Sequence, residues 1–144
     1  MLVARLNRDK LRVLSKSRLE EARVLLDNKL WTGAYYMTGV AVECALKAYL
    51  AQAVQQYDFP EKKFINQVYT HNLEELVRLD AALWLELQNE VNTNVKLQTN
   101  WSTVSLWNNE SRYEVIAELE ATSLYAATIE PGTGVMEWIK RRWK

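Results

Sequence analysis

The most apolar part of the chain reads GAYYMTGVAVECALKAYLAQAV, residues 33–54. Its small and apolar side chains recur on one face at helical spacing: Ala34, Met37, Thr38, Ala41, Ala45, Ala48 and Tyr49, with Val42 and Leu46 beside them. Because the stretch is apolar nearly all round, it predicts a helix that is covered on more than one side, at the centre of a bundle or in a dimer interface.

Two charged residues, Glu43 and Lys47, lie near the middle of this stretch. Each would be costly at the centre of a bilayer, so we expect a buried core helix and no membrane span. Glu43 precedes Lys47 by four residues, which is the favourable order for an ion pair on a helix. We expect the face that they share with Tyr36, Gly39 and Leu50 to be the less covered side of the helix.

The composition is that of an ordinary globular protein, and 144 residues suggest a single domain over residues 1–144. Four glycines and two prolines are too few for the turns of a many-stranded sheet protein, which favours an all-α fold. One cysteine and one histidine exclude an internal disulfide and a zinc site built from Cys and His ligands. The charged start does not resemble a signal peptide, so we expect a cytoplasmic protein.

A first helix is predicted from about Asn7 or Asp9 to Asn28. Its apolar residues fall within one arc of the helix: Leu11, Leu14, Leu19, Ala22, Leu25 and Leu26. Thr32 is the expected N-cap of the central helix, which should then run from Gly33 to about Val54.

A third helix is predicted to begin at Asn72, because Asn72 and Glu75 have the spacing of a capping box. It should extend beyond Leu87. The sequence leaves open whether it continues to Lys96 or breaks near Asn89, because the residues between are poor helix formers without being absolute breakers.

Residues 100–112 are predicted to form a loop rich in aromatic and amide groups. Trp101 and Trp107 in this loop either plug the end of a bundle or line a pocket with Arg112. A last helix should begin at Tyr113 or Glu114, break at residues 131–134, which contain a proline and two glycines, and resume over residues 135–139.

The charges balance over the whole chain, with 18 Lys and Arg against 18 Asp and Glu. The chain as a whole therefore lacks the net positive charge that attracts a polyanion without specific contacts. Both terminal segments are nevertheless basic, since residues 1–18 and residues 140–144 each hold several cations. Two interpretations remain open. The cations lie on solvated helix faces, or the two basic segments lie side by side and contact phosphate or an acidic partner.

Few residues support catalysis. A Ser–His–Asp or Cys–His enzyme would depend on His71, the single histidine. Cys44 lies within the apolar stretch, where a thiol is usually inert packing. We expect a structural role for His71, next to the Asn72 cap, with its ring bonded to a loop carbonyl.

Several segments, taken together, resemble one family. They are ARVLL at 22–26, WTGAYY at 31–36, AVECALKAYL at 41–50, THNLEEL at 70–76, Trp107 to Tyr113, and VMEWI at 135–139. In this order and spacing they are similar to the helices of the HEPN domain family, with Arg112-Tyr113 resembling the Arg-Tyr element before its final helix. The resemblance covers most of the chain.

The resemblance implies an antiparallel up-and-down bundle of four to five helices, commonly a homodimer, in toxin–antitoxin or defence systems or beside small nucleotidyltransferases. Some members are metal-independent ribonucleases, whose motif is an Arg followed after four to six residues by a His. Here Ala117, Glu118 and Leu119 follow Arg112 at those positions, so the motif is absent. Ribonuclease activity of the usual kind is therefore not expected, because the general acid or base is missing.

A binding site around Arg112 is the remaining expectation. We expect Arg112 to bind a phosphate or carboxylate through paired hydrogen bonds. Glu43, Lys47 and Tyr113 should complete the polar pocket, and Trp107 should line it. The alternative is a buried Arg112–Glu43 salt bridge that fixes helix packing.

The expected function is a non-catalytic module that binds a nucleotide, RNA or a partner protein such as an antitoxin or a nucleotidyltransferase. It should need no metal and no cofactor. Two alternatives stay open: a divergent ribonuclease toxin that uses Arg112 with Tyr113 or a carboxylate, and a purely structural interaction protein.

Overall fold

The computed structural model describes residues 6–54 and 60–144. Within these ranges the chain forms helices and no strand, which confirms the all-α prediction. The α-helices are α1 (Arg8–Asp27), α2 (Trp31–Gln52), α3 (Lys62–Val68), α4 (Leu73–Arg78), α5 (Ala81–Thr93), α6 (Val95–Ser105), α7 (Glu118–Ile129) and α8 (Val135–Lys140). A 3-10 helix, Asn109–Tyr113, lies between α6 and α7.

α1 packs along α2 as a helical hairpin, close to the predicted limits of both helices. The Asn7 side chain accepts a hydrogen bond from the Lys10 amide and so caps α1. The buried Ser15 hydroxyl donates to the Ala41 carbonyl at 2.8 Å, which fixes α1 against the middle of α2.

Thr32 is not the N-cap of α2, so that prediction is wrong. Lys29 adopts a φ of 61°, and the Leu30 amide donates to the Leu25 carbonyl, so the chain turns earlier than expected. α2 therefore starts at Trp31, and Thr32 lies in its first turn. Its hydroxyl accepts a hydrogen bond from the Ile116 amide at 3.0 Å, which joins the start of α2 to the segment before α7.

α2 lies at the centre of the molecule, in contact with α1, α4, α7, α8 and the 3-10 helix. Its apolar surface is thus covered within one chain. The face predicted to be less covered is covered too, because Gly39 and Leu50 are buried. In the described ranges, no helix is long and apolar enough to cross a membrane.

The predicted third helix is three helices. Asn72 caps α4 as expected by accepting from the Glu75 amide, but the Glu75 carboxylate turns to Thr70 instead of completing the capping box. Asp80 caps α5, and Asn94 caps α6 through the Leu97 amide. Each of these side chains satisfies free amides at a new helix start. The predicted helix is thus interrupted at Asp80, whereas α5 extends beyond Leu87 as expected and ends at Thr93, between the two limits that the sequence left open.

Residues 100–112 are not a loop, because α6 extends to Ser105 and a 3-10 helix begins at Asn109. α7 begins at Glu118, later than predicted, since the 3-10 helix and an extended segment come first. The predicted break at residues 131–134 is confirmed, with Gly132 at a φ of 82°. α8 follows over the expected residues.

Candidate functional site

Arg112 lies on the 3-10 helix with its side chain exposed to solvent. Its guanidinium carbon lies 4.8 Å from the centroid of the Tyr113 ring, and Tyr113 is itself 74 % exposed. The Tyr36 hydroxyl raises the pKa of Arg112, and Tyr113 adds to the effect. Within the described residues Arg112 forms no ion pair with a carboxylate. The site therefore presents a cation beside an accessible aromatic ring.

Trp107 is buried beneath the 3-10 helix segment and packs against α2. Its ring is only 2 % exposed and packs on Tyr36, with ring centroids 6.2 Å apart. It also fills the space over Gly39 of α2, where a Cβ atom would overlap the indole. Trp107 therefore plugs the fold and anchors the 3-10 helix, and the lining role predicted for it does not fit its burial. Trp101 is buried in the same core.

The turn into the 3-10 helix is capped locally. The Asn108 side chain accepts from the Glu110 amide at 2.9 Å, and Ser111 is buried. Burial of Ser111 points the next residues, Arg112 and Tyr113, to the outside. The local sequence thus places the cation and the ring together on the surface.

A second polar cluster forms around Glu43 on α2. Its carboxylate accepts from Lys47 at 3.2 Å, as the spacing predicted, and from His71 Nδ1 at 2.9 Å. A carboxylate oxygen only accepts, so His71 carries its proton on Nδ1 in this arrangement. Glu43 is buried and Lys47 nearly so, whereas His71 is half exposed.

These two clusters do not form the predicted pocket. Tyr36, whose hydroxyl donates to Asn109 of the 3-10 helix at 3.5 Å, and Glu43 are seven residues apart on α2, which is about 10 Å along the helix axis. Both Glu43 oxygens are taken by Lys47 and His71. The structure therefore does not bring Arg112 together with Glu43 and Lys47, and the described residues contain no Arg112–Glu43 salt bridge.

His71 was expected to bond a loop carbonyl, and it bonds the Glu43 carboxylate instead. The sequence contains no signal for this contact, because 28 residues separate the two and helical periodicity reports only neighbours on one helix. A histidine held through Nδ1 has Nε2 free for hydrogen bonding or proton transfer. The structure thus adds His71 to the candidate residues.

The cluster lacks an activated nucleophile. Burial raises the pKa of the Cys44 thiol and the neighbouring Glu43 raises it further, so the thiol stays protonated at neutral pH. No group of three or more His, Cys, Asp or Glu residues suited to a metal ion occurs in the described parts of the chain.

Comparison with known proteins gives no match to a family model, a curated protein or a solved structure. The similarity to HEPN domains therefore rests on the sequence motifs alone and stays a prediction.

Proposed function

We propose that this chain is a non-catalytic binding module whose ligand carries a phosphate group, as a nucleotide or as RNA. One observation carries the proposal: the exposed Arg112 guanidinium stands beside the exposed Tyr113 ring without a carboxylate partner in the described residues. A guanidinium matches two phosphate oxygens through paired hydrogen bonds. An accessible aromatic ring stacks on a base.

The support under Arg112 strengthens this proposal. Tyr36 donates to Asn109 of the 3-10 helix and packs on the buried Trp107, so the backbone that carries Arg112 and Tyr113 is anchored before a ligand arrives. A preordered site loses less conformational entropy on binding than a flexible one. A cation without a carboxylate partner also needs no ion pair to be broken before a phosphate can bind.

The resemblance to HEPN domains extends the proposal. On that basis the chain would form an antiparallel up-and-down bundle of four to five helices and pair as a homodimer in the cytoplasm. Its partner would be an antitoxin or a nucleotidyltransferase in a toxin–antitoxin or defence system. The bundle, the homodimer, the location and the partner are inferred from the sequence motifs, and we propose them together with the phosphate-bearing ligand.

The test is a fluorescence anisotropy titration of a labelled single-stranded RNA against wild-type protein and the Arg112→Ala and Tyr113→Ala variants. We expect each substitution to weaken binding about tenfold, because a charge-assisted hydrogen bond or one stacked base contributes roughly 1–3 kcal/mol. Competition with unlabelled nucleotides distinguishes a nucleotide site from an RNA site. Arg23→Ala is the matched control, because Arg23 is an exposed arginine on α1.

Equal affinity of Arg112→Ala and wild-type protein would contradict the proposal. The same samples test the two alternatives. Loss of RNA cleavage in the Arg112→Ala variant would establish the ribonuclease. A lower melting temperature of that variant, with no ligand that raises the melting temperature of the wild type, would indicate a purely structural protein.

A further inference from the structure

The basic segments at the two ends of the sequence meet in the fold. Arg12 on α1 donates through Nη2 to the Lys144 carbonyl at 2.7 Å and to the Gln52 side chain at 3.1 Å. Gln52 also accepts from the Lys144 amide and donates to the Arg142 carbonyl. Gln52, near the end of α2, therefore joins the two segments, and the interpretation that they lie side by side is confirmed for these residues.

Some cations of this region are neutralised and others are not. Arg141 pairs with Glu137 at 3.1 Å, and Arg142 lies between Glu86 and Glu90 at 2.7 and 2.8 Å. Five others in residues 6–18 and 140–144 form no ion pair with a carboxylate of the described residues: Lys10, Arg12, Lys16, Lys140 and Lys144. We call the last four of them the basic surface.

The basic surface is organised around Trp143 and α1. Arg12 and Lys140 both lie over the Trp143 ring, at 5.0 and 5.8 Å from its centroid. Lys16 follows Arg12 by one helical turn and so lies on the same face of α1. An open cavity of about 360 Å³ lies beside Trp143 and Lys144, and its other lining residues include Gln52, Glu86 and Arg142.

We infer that the basic surface binds the phosphodiester backbone of a nucleic acid without reading its bases. Lys16, Lys140 and Lys144 are exposed and have no ion pair within the described residues, and together with Arg12 they form a local positive field on a chain with no net charge. A polyanion requires such a field. Arg12 and Lys140 lie over the Trp143 ring, so this ring is not available to stack on a base. Contact with phosphates alone positions a strand without selecting its sequence.

A nucleic acid fits this surface better than a protein partner does. Residues 135–144 contribute no exposed large apolar side chain, and near Arg12 and Lys16 on α1 the exposed large apolar side chain is the single Val13. The centre of a protein interface is typically apolar or aromatic. The surface offers charge and hydrogen-bond donors instead.

This inference goes beyond the proposed function, because it concerns a second site. The 3-10 helix that carries Arg112 is bonded through Asn109 to Tyr36 near the start of α2, whereas the basic surface is joined through Gln52 at the end of α2. These positions are 16 residues apart, which is about 24 Å along the helix. Either site can fail its test without affecting the other.

The experiment measures binding of fluorescein-labelled oligouridylate to the full chain over a series of salt concentrations. The variant replaces three exposed lysines: Lys16→Gln, Lys140→Gln and Lys144→Gln. We expect about a tenfold loss of affinity at low salt, and a slope of log K against log salt that is smaller by about 2, since each lost phosphate contact removes about 0.7. Circular dichroism verifies that the variant is folded.

The control variant removes three cations elsewhere: Arg23→Gln, Arg78→Gln and Lys96→Gln. It should keep the affinity and the salt slope of the wild type. An unchanged slope in the lysine variant, or equal losses in both variants, would overturn the inference. A wild-type protein that binds polyaspartate as tightly as oligouridylate would overturn it as well, because the surface would then serve an acidic protein.

Discussion

Single residues explain why the candidate site was only partly predictable. The Glu43–Lys47 pair and the adjacency of Arg112 and Tyr113 are local, and the sequence predicted both. The Glu43–His71 bond and the packing of Trp107 on Gly39 join residues far apart in the chain. Periodicity shows which face of a helix is apolar, but it does not show which distant residue covers that face.

Gly39 provides a test at this scale. The Gly39→Ala substitution places a methyl group inside the Trp107 ring, so the indole must move and the free energy of unfolding should fall by about 1–3 kcal/mol. Urea denaturation followed by Trp fluorescence measures the change.

Gly33→Ala on the same helix is the matched control. Its new methyl would meet only the flexible end of Leu25, at 3.2 Å, and alanine favours a helix by up to about 1 kcal/mol over glycine. We expect unchanged or higher stability there. If Gly39→Ala is as stable as Gly33→Ala, the account of the Trp107 packing is wrong.

At the scale of elements, the sequence predicted α1, α2 and α8 well and the middle of the chain poorly. Long helices with a continuous apolar pattern are specified by many residues at once. The break between α4 and α5 depends on the single side chain of Asp80, which bonds two amides of α5 and also accepts from the Tyr49 hydroxyl at 2.7 Å. The apolar pattern continues across residues 79–80, so periodicity alone does not predict that one helix ends and another begins there.

The Tyr49–Asp80 contact between α2 and α5 predicts a pH effect. Burial, and then the hydrogen bond to Asp80, raise the pKa of Tyr49 from 10.0 to about 12. The folded protein therefore keeps this proton at pH values where the unfolded chain loses it. The resulting stabilisation is complete below about pH 10 and disappears as the pH rises to about 12.

The measurement is the free energy of unfolding of the wild type and of Tyr49→Phe between neutral pH and pH 12. We expect the wild type to be more stable at neutral pH and the difference to shrink through the alkaline range. Tyr69→Phe, at an exposed tyrosine, should match the wild type throughout. A difference that stays constant with pH would refute the role of this hydroxyl.

At the scale of the whole molecule, α2 is the centre of one chain. The sequence left open whether its apolar surface lay inside a bundle or between two copies, because both produce the same periodicity. The structure covers α2 with α1, α4, α7 and α8 of its own chain. A dimer would therefore use another surface, and the homodimer implied by the HEPN resemblance stays a proposal.

Native mass spectrometry of gently purified wild-type and Arg112→Ala protein tests the binding proposal most directly, since one spectrum reports both subunit number and any retained ligand. We predict that the wild type carries a phosphate-containing species and that Arg112→Ala carries less of it or none. A wild-type protein without any adduct would contradict the account. The same adduct in equal amount on both proteins would contradict the Arg112 site, and its loss from the Lys16→Gln, Lys140→Gln, Lys144→Gln variant would then assign it to the basic surface.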